Sequence, residues 1–278
     1  MYEEDNREEN GAIYVWHKSI VKDSILSHRG TKIEMVERPS WGISCFMDGA
    51  IQSCEIDEYI YHESLVHPVM VSVTKRNRVM IIGGGEGATA REVLKWPDVE
   101  KVDMYEWDKD VVQLFKSKYS QWAKGAWEDS RLTIYYDDIF EKITEIPSER
   151  YDVIIIDLFD PTNDNSTSWN HLFMNLHNWI DTKGSIVLYT GIRNISEKQQ
   201  MYHRLINMLK DSEHSGIHLL PLHTIMFPYH VFIPSFLGES TFVLLQPLFG
   251  SKEIDFKNIP IETHLTNDIW NSYKTFNW

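Results

Sequence analysis

One stretch of this chain combines residue types and spacing suited to holding a small molecule. Val79-Met80-Ile81-Ile82 runs straight into Gly83-Gly84-Gly85-Glu86-Gly87, and the helix-like segment Thr89–Lys95 follows. Gly83, Gly85 and Gly87 let the backbone turn sharply and approach a ligand beneath a helix N-terminus. Glu106 lies nineteen residues past Gly87, at the end of a second apolar run. An acid at that place accepts both ribose hydroxyls of a nucleoside. Glu86 argues against a dinucleotide, because its carboxylate would stand where a pyrophosphate has to lie. The ligand is instead a nucleoside that carries positive charge, and sulfonium nucleosides fit. Glu86 would oppose the carboxylate of intact S-adenosylmethionine, and Ile81 stands where such methyltransferases usually place an acid. A decarboxylated sulfonium nucleoside, ending in an ammonium, would be attracted.

Two further acidic groups fall at strand ends: Asp137-Asp138, and Asp157-Leu158-Phe159-Asp160-Pro161. In open α/β sheets ligands bind at the carboxyl ends of the strands, so Glu86, Glu106, Asp138, Asp157 and Asp160 are expected around one crevice. Carboxylates so close repel unless cations fill the space. There is no His/Cys ligand cluster and no compact oxygen cage, which points away from metal and toward an amine or polyamine. Asp137 alone also reads as a helix cap. Tyr61-His62-Glu63 adds a phenol and an imidazole nearby.

The elements that must position these groups follow from periodicity. Residues 1–10 hold five acids against one Arg and read as a disordered acidic tail. From Ile13 to Ser53 short β-type runs alternate with turn residues, and Asp48-Gly49 between two such runs signals a hairpin. Residues 11–70 therefore form a small antiparallel β domain and a junction. Within it Ile60, Leu65 and Val66 keep helical spacing until Pro68, which is expected to stop or kink the helix. Residues 71–278 alternate strand and helix. The strands are expected at Val79–Ile82, Val102–Tyr105, Leu132–Tyr136, Val153–Ile156 and Ile186–Tyr189. Helices fall at Thr89–Lys95 and Asp110–Tyr119, and a capping box at Ser196-Glu197-Lys198-Gln199 opens another. Ile217–Ile225 and Thr241–Gln246 read as two more strands at an edge. The class is α/β, a doubly wound, mostly parallel sheet covered on both faces.

Composition narrows the partners. The 278 residues are 42% hydrophobic and 24% charged, ordinary for a globular chain. A formal charge of −14 speaks against nucleic acid and suits a cationic ligand. Cys45 and Cys54 are the only cysteines, so reduced thiols and a cytoplasmic setting are expected. No apolar run reaches the length of a membrane span.

Across most of its length the sequence resembles the aminopropyltransferases, the spermidine synthase superfamily. Its nearest likeness is to the branch of thermospermine synthases and agmatine aminopropyltransferases. The likeness is carried by MDGAIQSCEIDEYIYHESLVHP (47–68), VMIIGGGEGATAREVLKWPDVEKV (79–102), YDVIIIDLFDP (151–161) and IPSF (233–236). It implies a small N-terminal β domain on a Rossmann-like, methyltransferase-type sheet, assembled as a homodimer or homotetramer. It also implies transfer of a 3-aminopropyl group from decarboxylated S-adenosylmethionine to an amine, releasing methylthioadenosine, with no permanently bound cofactor. By position, Gln52 and Glu86 contact the donor, Glu106 its ribose and Asp138 its adenine. Asp157 matches the proton acceptor, while Tyr61, His62 and Asp160 line the amine channel; a carboxylate and the Tyr61 phenol at that point can position the nitrogen and accept its proton.

The chain departs from that pattern at several places. Thr31 and Tyr189 stand where many members have Gln, Ile139 replaces the small residue after the adenine-binding acid, and Thr162–Ser166 replaces a glycine-proline loop. These changes fall mainly on the acceptor side. Two other readings stay open from the residues: a transferase of another group using S-adenosylmethionine, and a nucleoside-binding relative without turnover. Survival of Glu86, Asp157 and Asp160 together favours the enzyme.

Overall fold

The computed structural model describes residues 3–9, 12–159, 166–193, 203, 207, 224–248 and 252–274. The N-terminal sheet is an antiparallel meander of β1 (Glu3–Glu9), β2 (Ala12–Leu26), β3 (Lys32–Arg38), β4 (Gly42–Met47) and β5 (Ala50–Cys54). The stretch expected to be a tail is thus mostly the outer strand, paired with β2 from Glu3↔Ser19 to Glu9↔Ala12. The 15-residue β2 would otherwise leave part of a ladder unpaired, and a charged sequence is well suited to an edge. The Asp48-Gly49 hairpin forms as read, with φ of 48° and 89° at the two turn residues. Cys45 and Cys54 are free and buried.

The second sheet has seven strands in the order β11-β12-β10-β9-β6-β7-β8. These are β6 (Arg78–Gly83), β7 (Lys101–Tyr105), β8 (Leu132–Tyr135), β9 (Tyr151–Asp157), β10 (Ile180–Ile192), β11 (Thr224–Ile233) and β12 (Gly238–Pro247). From β10 to β8 all neighbours are parallel, while β12 runs antiparallel to both β10 and β11. The antiparallel edge was expected, but its outer strand begins at Thr224; Ile217–His223 and the capping box at 196–199 lie outside the described residues.

Helices cover both faces: α1 (Glu58–Ser72), α2 (Ala88–Leu94) and α3 (Lys109–Lys118) among them, with α4 (Ile139–Lys142), α5 (Ser166–Trp179) and a last helix α6 (Asn267–Tyr273). Val79 and Ile81 pack into one core with Leu65, Val69 and Phe115. Met80 and Ile82 pack into another with Trp169 and Phe173. Burial on both sides is why β6 and β9 read as unbroken apolar runs.

Pro68 does not end α1, which continues four residues further to Ser72. Proline removes the hydrogen bond that Ser64 O would receive from an ordinary residue at 68. Tyr229 fills that place, its hydroxyl donating to Ser64 O at 2.8 Å. The helix is therefore sustained by a partner 165 residues away in sequence. It leans on α2, β10, β11 and β12, so this junction helix is part of the cover over the larger sheet.

Candidate active site

The chain goes from β6 outward to β7 and β8, then returns to place β9 on the other side of β6. That reversal opens a crevice at the carboxyl ends of β6 and β9. Gly83 pairs there with Asp157. A Cβ on Gly83 would come within 2.0 Å of Asp157 O, and its φ is +86°. Gly84, with φ +78°, continues the turn. Gly87 does not line the crevice. It opens α2 with φ +84°, and a Cβ there would strike the Trp127 ring at 2.4 Å. Its work is to let the loop close over that indole.

A cavity of about 380 Å³ fills the crevice. Gly83, Gly84, Gly85, Glu86, Glu106 and Asp157 form its base, Tyr61, His62, Tyr189 and Phe236 one wall, and Thr31 and Gln52 the side toward the N-terminal sheet. A second cavity of about 210 Å³ adjoins it, sharing Gly83, Glu106, Trp107, Leu158 and Phe159, and is lined also by Asp137, Asp138 and Ile139. The structure thus brings together every candidate acid it describes, in two connected compartments. Asp160 lies outside the described residues.

Glu106 is buried at the end of β7 and its Oε1 accepts from Asp108 N at 2.9 Å. Burial dominates and pushes its carboxyl up to about 7, with the Asp108 and Asp157 charges adding to the rise. Asp138 caps α4, Oδ1 accepting from Phe140 N at 2.9 Å, which leaves its second oxygen for the smaller cavity. The cap is this residue rather than Asp137, which is exposed. Gln52 sits exposed at the mouth, donating to Ala50 O at 3.3 Å.

Asp157 is gripped from two sides. Tyr61 Oη donates to Oδ1 at 2.7 Å and Thr89 Oγ1 donates to Oδ2 at 2.9 Å. Burial and the neighbouring carboxylate drive the Tyr61 phenol well above its ordinary range. In the folded chain Tyr61 is thus held as a hydrogen-bond donor to Asp157, in contact with the expected proton acceptor. Its ring is packed edge-on against Tyr189 at 5.5 Å and tilted on Phe242 at 5.4 Å.

His62 lines the cavity but is only 2% exposed, and both ring nitrogens are engaged. Nδ1 lies 2.6 Å from Glu58 O and 3.0 Å from Glu58 Oε2, and Nε2 contacts Glu86 Oε1. Burial alone would discharge the ring, but Glu86 and Glu58 outweigh it and raise its pKa to about 10. Since the folded value exceeds the unfolded one, this charge stabilises the fold fully below pH about 6.5 and ceases to as pH rises through about 10. Glu86 is accordingly neutralised by a neighbour rather than standing free, and His62 is a partner of Glu86 before it is part of any amine channel.

Sequence reasoning missed Glu58, Thr89 and Arg91. Glu58 and His62 stand four apart on one helix face, a spacing that would have paired them. Thr89 and Arg91 carried no such signal, since their partners come from β9 and α1. Two carboxylate–imidazole groupings invite a metal reading. At Glu63, His67 and Glu92 the Lys95 ammonium, 2.6 Å from Glu92 Oε2, already supplies the cation. At His28, Asp108 and Asp110 the contacts link the β2–β3 turn to the start of α3.

Known proteins match this arrangement. Residues 58–246 fit the model of the spermine/spermidine synthase domain. A polyamine aminopropyltransferase of Saccharolobus solfataricus is 37% identical over 206 residues, covering 71% of this chain and 67% of the relative. One from Prochlorococcus marinus is 32% identical over 241 residues, covering 86% and 81%. Among solved structures, spermidine synthase from Thermotoga maritima superposes with a TM-score of 0.76 at 22% identity, covering all of this chain and 92% of the other. A spermidine synthase in complex with the transition-state analogue AdoDATO gives 0.78 at 22% identity, covering 99% and 92%. At that identity the structures speak for the fold, and they agree with the small antiparallel domain on a Rossmann-like sheet.

Proposed function

This chain belongs to the spermine/spermidine synthase family and is an aminopropyltransferase of polyamine biosynthesis, and from that premise we propose how its crevice divides the work. The observation that carries the reading is Asp157, fixed by two hydroxyls beside Gly83 on the floor of a cavity that Glu86 and Glu106 also line. The donor is decarboxylated S-adenosylmethionine, a co-substrate rather than a resident cofactor. Its ribose lies on Glu106, its adenine reaches the smaller cavity by Asp138, and its ammonium meets Glu86, with Gln52 at the mouth. A carboxylate has a second oxygen to offer, so Glu86 can hold the ammonium while His62 keeps Oε1.

In the chemical step the acceptor nitrogen attacks the carbon beside the sulfonium. The new C–N bond forms as the C–S bond breaks, and the electron pair passes to sulfur, giving the thioether methylthioadenosine. The nitrogen must shed a proton, because an amine with a reference pKa of about 10 is mostly protonated at neutral pH. Asp157 accepts it, held in place by the Tyr61 and Thr89 hydroxyls. The acceptor passes Tyr61, Tyr189 and Phe236, whose ring faces suit a cation. Asp160 is proposed to hold its distal ammonium. Putrescine, agmatine and longer amines all fit this chemistry, and mass spectrometry of products from an amine panel decides among them and fixes the branch. Assembly as a homodimer or homotetramer is what the family likeness implies, and light scattering tests it.

Two expected results follow for the donor side. Glu86→Gln removes one charge-assisted hydrogen bond, worth about 1.5–3 kcal/mol. Donor affinity should fall at least tenfold and discrimination against S-adenosylmethionine should narrow. Equal affinity of the unaltered protein for both nucleosides would refute the assignment. Glu106 couples binding to pH. Its folded pKa is raised, so ionising it costs stability that is intact below pH about 4.5 and is lost as pH rises toward about 7. Both ribose hydroxyls can donate, one to each oxygen, to the ionised form, whereas protonation turns one of those oxygens into a donor. Methylthioadenosine should then bind with release of close to one proton at pH 6, and its affinity should weaken about tenfold per unit below that. Calorimetry in buffers of different ionisation enthalpy measures the proton count. If the count is zero and Glu106→Ala also leaves methylthioadenosine affinity unchanged, the ribose lies elsewhere.

A further inference from the structure

Behind Glu86 runs a buried line of alternating charge. His62 joins Glu86 to Glu58, Arg91 grips both oxygens of Glu58 at 2.9 and 2.8 Å, and Arg91 Nε reaches Glu92 at 2.7 Å. Lys95 closes the line from the surface side, 2.6 Å from Glu92. The two histidines near it are held differently. His67 Nδ1 accepts from the Trp96 indole N–H at 3.3 Å, and its Nε2 lies 3.0 Å from Glu92. His62 Nδ1 faces a main-chain carbonyl, which can only accept, and Nε2 faces a carboxylate. Burial raises the Glu86 carboxyl, but the Glu86 and Glu58 charges together favour the shared proton on the ring. With His62 charged, Glu86, Glu58 and Glu92 alternate with His62, Arg91 and Lys95 along the line.

We propose that Glu58 is a positioning residue for the donor's ammonium: it pins the His62 ring through Nδ1, keeps it charged and aimed at Glu86, and so fixes one Glu86 oxygen and leaves the other for the ligand. The inference rests on the reading of Glu86 given above. Arg91 makes Glu58 a rigid support, because a bidentate fork leaves the carboxylate no other orientation. The groups that face His62 and Glu86 come from every surrounding element. They are Glu58 and the Tyr61 phenol on α1, Arg91 on α2, Asp157 at the end of β9, and the Cys45 thiol on β4, which burial keeps protonated. Glu58 is the one that touches His62 on the side away from the cavity.

The test begins with the unaltered protein. Nitrogen-15 NMR of the imidazoles should show His62 with both nitrogens protonated from pH 6 to 9. In Glu58→Gln the ring should titrate inside that range. Donor binding measured by calorimetry should weaken about tenfold above the titration and recover below it. Glu92→Gln is the control, since it also removes a buried carboxylate beside Arg91 but does not touch His62. It should lower Tm comparably and leave the pH profile of donor binding unchanged. A neutral His62 at pH 7 in the unaltered protein overturns the proposal, even if Glu58→Gln fails to fold. So do matching pH profiles in the two variants. If the unaltered protein does not prefer the decarboxylated donor, the Glu86 reading itself has failed. If that preference holds while Glu58→Gln leaves the pH profile unmoved, only the positioning role falls.

Discussion

Asp157→Asn is expected to lower kcat by about 10²–10⁴, the range for a lost general base, with little change in donor affinity. An amide has no basic oxygen to take the proton from the attacking nitrogen. The hydroxyls of Tyr61 and Thr89 can each rotate to donate to the amide oxygen or accept from its NH₂, so the side chain keeps its place. Stability should therefore change by less than about 1 kcal/mol, the scale of one hydrogen bond. Steady-state kinetics with the amine varied at saturating donor, beside a thermal melt, separates the two effects. Tyr61→Phe should produce a smaller loss, since it removes the group that aims the base and not the base. A near-normal kcat for Asp157→Asn, or a larger loss for Tyr61→Phe, would assign the proton to another group.

Gly83→Ala should be the most damaging single methyl that can be added to the crevice. The new Cβ would lie 2.0 Å from Asp157 O and 2.9 Å from Asp157 C, both main-chain atoms of the neighbouring strand. Neither can swing aside as a flexible side chain does, so β6 and β9 must part at the point where they hold the loop and the base. The φ of +86° adds the cost of a left-handed residue with a side chain. Together these are worth about 2–5 kcal/mol, and the displacement falls on donor and acceptor sites alike. Folded variant protein should bind methylthioadenosine at least a hundredfold more weakly, as read by calorimetry. Gly125→Ala is the comparison. It shares a positive φ, but nothing lies within 4 Å of its added Cβ, so it should carry only the backbone cost.

What the linear sequence determined on its own was the frame. Val79–Ile82 and Val153–Ile156 are apolar at every position, which only burial on both faces permits, and this made them central parallel strands. Glycine at 83, 84 and 87 is demanded by main-chain angles near +80°, and the Asp48-Gly49 hairpin by two positive φ in a row. Glu106 and Asp157 could be placed because an acid at a strand's carboxyl end has only one place to go. These are local or nearest-strand constraints, and local chemistry writes them into neighbouring residues.

Tertiary structure decided what each acid is bonded to, and with that its charge and its role. Nothing near Pro68 reveals that Tyr229 would mend the helix there, and nothing near Asp157 names Tyr61, 96 residues earlier, as its donor. The strand made by Glu3–Glu9 was illegible for a related reason: its stability comes from the open edge of β2, and its own composition offers only charge. Glu86 shows the difference most plainly. The sequence presents it as a bare carboxylate awaiting a cation, whereas the folded chain supplies the His62 imidazolium, raised toward a pKa of about 10 by two carboxylates at once. The Glu58–His62 pair, four apart on α1, is local, but the Glu86–His62 pair is chosen by the packing of α1 against the loop between β6 and α2, which no spacing along the chain encodes.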